Sequence, residues 1–374
     1  MTVYLDGWSF DGDELASART GHRLLNPSLD LGSACNLNCP YCFIEEKNSA
    51  RKERKPGELS PDEVEAVVRD FLSAGARTVN LVGAGEPTVD PQFRDIVDLI
   101  HSGRARTVVF TNGIALADDA ALIEWLWNRG VTVVLKYNAV TPALQDAMVG
   151  KRGYSSVRDA ALCRLIRRGF NSMQPTRLGV DTLACCGNLS ELTTIHRWCR
   201  QNNIFPMTAE FLPTGRTADG TVNAVAAFGS IDPELANRAR SALQSLNSRE
   251  RELLLTEFAD VDHEYGVEHG GDRAYFGGGP CRQLLGVYVD IIGRIWPCVA
   301  RSRGASGDNS PIGAVRSGDR ASSVWKSSPY LQSIRAVYTG ACPYKPSLRA
   351  QVSASRNGVG LVPLLGVNGV SLLI

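Results

Sequence analysis

Short apolar runs alternate with amphipathic stretches six times between residues 26 and 216, and this succession constrains the fold more than any other feature of the 374-residue chain. The first run, 28–33, reads as a strand. Ser60-Pro61-Asp62-Glu63 then predicts a helix start, with serine as N-cap, proline in the first turn and glutamate closing a capping box. Val64, Val67, Val68, Phe71 and Leu72 recur at helical spacing until Gly75 ends the run. The pattern continues with a strand over 78–82, a helix carrying Phe93, Ile96, Val97 and Ile100, a strand over 107–110, a helix over 118–129 and a strand over 131–135. A helix over 156–168, a strand over 176–183, a helix over 189–201 and a sixth strand over 207–212 complete it. Strands that alternate with helices in this way form a parallel sheet whose functional loops gather at the carboxyl ends of the strands.

The loop leaving the first strand carries Cys35, Cys39 and Cys42 in the spacing C-x3-C-x2-C. Thiolates select zinc, copper(I) or iron–sulfur clusters. Structural zinc takes four closed ligands, commonly as two separate pairs, whereas these three are crowded together with no histidine beside them. A four-iron cluster with one iron left open is the better match, and a structural cysteine cluster is the bland alternative. The stretch closely resembles the signature of the radical S-adenosylmethionine (radical SAM) family, including the aromatic residue before the last cysteine, here Tyr41. The resemblance implies a [4Fe-4S] cluster on Cys35, Cys39 and Cys42 whose open iron binds SAM. It also implies an α/β fold, a partial (β/α)6 TIM barrel over 26–216.

Gly83-Ala84-Gly85-Glu86-Pro87, after the second strand, is similar to the family's Gly-Gly-Glu-Pro motif with Ala84 as a departure. The resemblance makes Gly83, Gly85 and Glu86 SAM contacts, the glycines letting backbone approach a ligand. Tyr41 in the cysteine loop and Asn138 after the fourth strand join the cofactor-binding set; Asn112, in Thr111-Asn112-Gly113, matches a family strand end that reaches the cofactor or simply supplies a turn, and Arg177 on the fifth strand could pair with a carboxylate of SAM or of substrate or form a surface ion pair. Where many relatives place serine and aspartate on the fourth strand this chain has Lys136-Tyr137-Asn138, so Lys136 and Tyr137 are expected to address the substrate. Cys185 and Cys186 close the fifth strand and could donate a hydrogen atom to a carbon radical, or simply pack as small hydrophobes. Cys163 and Cys199 read as packing residues on helices.

Beyond a linker and charged helix over 217–270, Cys281 and Cys298 bracket a predicted hairpin, and Cys342 follows after a helix. This order resembles the auxiliary-cluster extension of the same family, known as twitch or SPASM, and implies a small β-hairpin and helix domain over 271–342. It supplies three of the usual four ligands, and a zinc site is the alternative. Residues 1–25 form an N-terminal extension too short for a peptide-leader-binding domain, and 343–374 an atypical uncharged tail.

Lys plus Arg total 40 against 39 acids, a net +1, which points to neither nucleic acid nor an anionic membrane. Ten grouped cysteines without a secretory leader suggest a reducing cytoplasm, and the uncharged tail, broken by glycines and a proline, makes no convincing membrane span. The resemblance implies hydrogen abstraction, expected here from a small polar metabolite: a sugar, aminocyclitol or nucleoside, most plausibly dehydrogenated in antibiotic or other natural-product biosynthesis. A flavodoxin- or ferredoxin-type reductant would supply the electron. Epimerisation, elimination, decarboxylation or peptide maturation are the alternatives.

Overall fold

The computed structural model describes residues 3–20, 23–44, 54–184, 187–210, 284–302 and 310–337. Six parallel strands, β1 (Ser28–Asp30), β2 (Thr78–Val82), β3 (Arg106–Thr111), β4 (Thr132–Lys136), β5 (Leu178–Ala184) and β6 (Phe205–Glu210), lie side by side in chain order. The helices between them are α2 (Pro61–Ser73), α3 (Phe93–Ser102), α4 (Ile114–Asp118), α5 (Ala120–Asn128), α6 (Pro142–Val149), α7 (Tyr154–Arg168) and α8 (Leu189–Gln201), preceded by α1 (Gly12–Arg19). The predicted capping box opens α2: Ser60 Oγ accepts from Glu63 N, and Glu63 Oε2 accepts from Ser60 N.

Period-2 alternation divides each strand between two environments. Leu29, Leu81, Val109, Val133, Leu135, Leu178 and Val180 join the helices in the main core. Their neighbours Val108, Val134, Phe205 and Met207 point the other way, where Val3 and Leu5 from the N-terminal segment meet them, with Trp8 and Phe110 packed alongside. That segment is anchored below β5, since Thr176 N donates to Tyr4 O and Asp6 N to Thr176 O. The sheet thus curls into a partial TIM barrel closed at its amino end by an apolar plug.

The C-terminal hairpin joins this sheet. β7 (Tyr288–Val289) pairs in parallel with β1, β8 (Arg294–Trp296) turns back against β7, and β9 (Gly313–Ala314) completes a nine-stranded sheet. Three further helices follow: α9 (Val299–Ser302), α10 (Ala321–Ser327) and α11 (Pro329–Val337). Asp70 of α2 accepts from Ser322 N and Oγ and pairs with Arg320, fixing α10 to the barrel. The hairpin expected as a separate small domain is thereby an extension of the barrel sheet. Residues 45–53 and the tail over 343–374 lie outside the described residues.

Candidate active site

The cysteine loop is held from three sides. Beneath it, Leu37, Val149 and Tyr154 form a small apolar bed on which Cys35, Cys39 and Ile114 pack. From the α2 side, the buried Glu58 carboxylate accepts from Ser33 N at 3.2 Å and from Ser33 Oγ, two residues ahead of the first cysteine. From β2, Glu86 N donates to Ala34 O at 2.7 Å.

This last contact explains the glycines. A Cβ on Gly85 would lie 2.2 Å from Ala34 O, and one on Gly83 would lie 2.0 Å from Gly85 O. Both distances are far inside contact, so the glycines are required because this loop packs on itself and on the cysteine loop. Glu86 is buried, its Oε1 accepting from Thr88 N, Thr88 Oγ1 and Thr111 Oγ1 and its Oε2 from Asn112 N at 2.7 Å. Burial raises its pKa, and these donors act to lower it. The carboxylate thus ties the β2 and β3 loops together.

Asn112 and Asn138 extend the brace. Asn112 Nδ2 donates to Asn36 Oδ1 within the cysteine loop at 2.7 Å, and its Oδ1 caps Ile114 N. Fully buried Asn138 donates to Tyr41 Oη at 3.0 Å and accepts from Leu183 N at 3.0 Å, while its backbone N–H goes to Gln145 Oε1. Tyr41 is accordingly clamped against β4 and β5, and burial pushes its phenol well above the ordinary value.

Three thiols in one loop make an unfavourable neighbourhood without a cation. Burial, the nearby Glu86 charge and then Cys39 and Cys42 push the Cys35 thiol up to about 12, against a hydrogen bond from Leu37 N. Among the described residues no three His, Cys, Asp or Glu side chains are set to hold a single metal ion. The donor set of three mutually repelling thiols, each partly exposed, fits a multi-iron cluster that spreads its ligands and supplies the positive charge that would hold them as thiolates.

Other expected site residues are placed differently. Arg177 stands at the amino end of β5, 7% exposed, where its guanidinium donates to the carbonyls of Val131, Leu126 and Trp127 and lies over the Trp127 and Phe170 rings. Desolvation lowers its pKa to about 10. It closes the α5–β4 turn from below and is corrected from cofactor contact to structural cap. Tyr137 faces the helix layer, with the Arg158 guanidinium 3.7 Å from its ring centroid and Trp198 stacked at 6.3 Å, so it too leaves the expected centre.

Lys136 stands on the interior face of the sheet. It follows Val134 by two residues, and its ammonium pairs at 2.8 Å with Asp181 Oδ2, 5.8 Å from the Tyr41 ring centroid. Asp181, which the sequence reading missed, pairs in register with Lys136 on one side and Met207 on the other. An acid amid Leu178, Gly179, Val180, Thr182 and Leu183 was the available signal. Glu58, Gln145 and Arg158, whose guanidinium donates to Ala139 O and Gln145 Oε1, were also missed, and their spacing carries no motif.

Cys185, Cys186, Cys281 and Cys342 lie outside the described residues; Cys298 follows β8, partly exposed. Cys199 is buried in the main core as expected, whereas Cys163 is exposed on α7. Among the described residues no helix is long and apolar enough to cross a membrane.

Comparison with known proteins agrees with the geometry. Residues 29–180 match the Radical SAM superfamily. The mycofactocin maturase MftC of Mycobacterium ulcerans is 24% identical over 343 residues, covering 90% of this chain and 85% of the relative. The GTP 3′,8-cyclase of Xanthomonas axonopodis pv. citri is 27% identical over 206 residues, covering 53% of this chain and 54% of that enzyme. Among solved structures, Streptococcus suis SuiB bound to precursor peptide SuiA has a TM-score of 0.57 at 17% identity, covering 87% of this chain and 70% of SuiB, a likeness of fold. With the braced C-x3-C-x2-C loop and the Gly-Glu-Pro turn pinned beneath it at the carboxyl end of a parallel sheet, the family match identifies residues 29–180 as a radical SAM domain.

Proposed function

We propose that this radical SAM enzyme abstracts a hydrogen atom from a small polar metabolite bearing hydroxyl groups, such as a sugar, aminocyclitol or nucleoside, and most plausibly dehydrogenates it. Cys35, Cys39 and Cys42 would hold the [4Fe-4S] cluster, with Gly83, Gly85, Glu86, Asn112, Asn138 and Tyr41 framing the SAM side. When bound there, the family's cluster and SAM supply hydrogen-atom abstraction. The chain's residues do the positioning: Asn138 fixes Tyr41, Asn112 fixes Asn36, and Glu86 binds two strand ends into one rigid floor. The plug of Val3, Leu5 and Trp8 closes the amino end, which protects a reactive species from water.

The single observation supporting a polar substrate is the half-buried Lys136–Asp181 pair, standing on the same face of the sheet as Val134 and Met207 of the interior apolar cluster. Cys281, Cys298 and Cys342 are proposed as ligands of an auxiliary iron–sulfur cluster that accepts the second electron, with a flavodoxin- or ferredoxin-type protein supplying the first. The test is anaerobic reconstitution with dithionite and SAM against aminocyclitols and nucleosides, following 5′-deoxyadenosine and substrate mass together. Loss of two hydrogens is expected; deuterium gain at unchanged composition would indicate epimerisation, and loss of carbon dioxide decarboxylation. Substrate-independent deoxyadenosine formation with every compound would sink the metabolite reading. Peptide maturation is the second reading, favoured by the match to a maturase along 90% of the chain. A candidate precursor peptide that changes mass in the same assay would establish it.

A further inference from the structure

A buried or half-buried ion pair that serves only structure uses up its hydrogen-bonding capacity. Arg54 and Asp90 illustrate this: Asp90 Oδ1 and Oδ2 both bind the guanidinium, Oδ1 also accepts from Gln92 N, and Arg54 goes on to Leu59 O and Gln92 Oε1. Lys136 and Asp181 are different. Among the described residues the ammonium makes one hydrogen bond, to Asp181 Oδ2, and Asp181 Oδ1 makes none. Their side chains are 21% and 19% exposed, so neither is sealed in the core. An ammonium carries three donors and a carboxylate about four acceptor sites, which leaves capacity of both kinds at one point.

The direction of that capacity follows from register. Asp181 sits opposite Met207, and two residues earlier Gly179 sits opposite Phe205, both partners belonging to the cluster that lines the barrel interior. Lys136 shares this face with Val134. The pair therefore crowns the apolar lining at the carboxyl ends of β4 and β5, beside the Tyr41 ring that precedes Cys42.

A group that both donates and accepts completes this arrangement. A hydroxyl donates to Asp181 Oδ1 and accepts from Lys136 Nζ, while a lone anion faces the carboxylate and a lone cation faces the ammonium. We propose that Lys136 and Asp181 form the specificity-determining clasp for a neutral hydroxyl group of the substrate. This rests on the metabolite reading above and adds the group by which the substrate is held next to the cluster loop.

The test uses the full chain in the presence of SAM, with scyllo-inositol as the neutral polyol and cyclohexylamine and cyclohexanecarboxylate as charged controls lacking hydroxyls, and binding read by saturation-transfer NMR. The wild type should bind the inositol in preference to both controls. Asp181→Ala and Lys136→Met should each weaken it by about tenfold or more, the loss of a hydrogen bond to a charged group, while SAM retention in equilibrium dialysis stays within about twofold. Asp181→Asn, which keeps the side-chain shape, guards against misfolding and should show an intermediate loss. Equal inositol binding by wild type and variants would overturn the clasp and leave the metabolite reading standing. Loss of SAM retention with inositol binding intact would assign the pair to the cofactor instead. A wild type that prefers the carboxylate control, or binds no inositol, would remove the metabolite reading and the clasp with it.

Discussion

Lys136 and Arg177 are cations on neighbouring strands of one sheet, placed at its opposite ends. Arg177, 7% exposed at the amino end, spends its guanidinium on the carbonyls of Leu126, Trp127 and Val131 and on two aromatic faces. Lys136, at the carboxyl end, has a single hydrogen-bond partner among the described residues and is only half-buried. At the amino end the Arg177 guanidinium is satisfied where the barrel is sealed. At the carboxyl end Lys136 and Asp181 are fixed by one side and left available on the other, which is what a binding site needs.

This contrast is open to attack by mutation. The largest effect is expected at the cysteine loop: Cys39→Ala should abolish deoxyadenosine formation, whereas Cys199→Ala, in the core behind α8, should retain it. Equal activity in the two variants would break the comparison outright. Arg177→Met should cost about 2–4 kcal/mol in chemical denaturation, because it strands buried carbonyls, and it should leave SAM affinity unchanged. A SAM-binding defect in a stably folded Arg177→Met protein would return that residue to the cofactor site. Gly85→Ala forces a Cβ toward the Ala34 carbonyl and should lower iron incorporation on reconstitution more than it lowers the stability of the apo chain; iron per chain is the measurement. Glu58→Gln weakens the bonds to Ser33 and should cost about 1–2 kcal/mol, a charged acceptor replaced by a neutral one.

The smallest effect concerns the junction with the C-terminal extension. Arg316 donates to both Glu63 oxygens and to the carbonyls of Gly57 and Glu58, and its hydrogen bonds, with the Ser60 N–H, lower the Glu63 pKa from 4.5 to about 2. A depressed carboxyl stabilises the folded state above its unfolded pKa and loses that contribution as pH falls from 4.5 toward about 2. Apo-protein denaturation midpoints measured across that window should fall slightly more for wild type than for Glu63→Gln; parallel curves would show that solvent screens the pair completely.

Much of the scaffold was legible because its signals are local. The strands expected over 78–82 and 131–135, found at 78–82 and 132–136, and the α2 capping box came from period and cap chemistry, which depend on neighbouring residues alone. The short helices α4 and α6 were missed, their apolar content being too brief to show a period. The parallel pairing of β7 with β1 was equally hidden, because nothing in two strands more than 250 residues apart announces that they will meet. Within the site, Cys35, Cys39, Cys42 and the Gly-Glu-Pro stretch were visible as motifs. Arg177 and Tyr137 were misplaced because residue type was read without strand face or strand end.

The amino-acid sequence alone determined the alternating scaffold, the clustered thiols and the family to which they point, since each rests on spacing along the chain. Tertiary structure decided which polar groups brace the site and which remain available to a ligand. One residue along a strand exchanges the interior face for the helix layer, as Lys136 and Tyr137 show, and the sheet register that brings Asp181 beside Lys136 is set by the packing of the whole barrel.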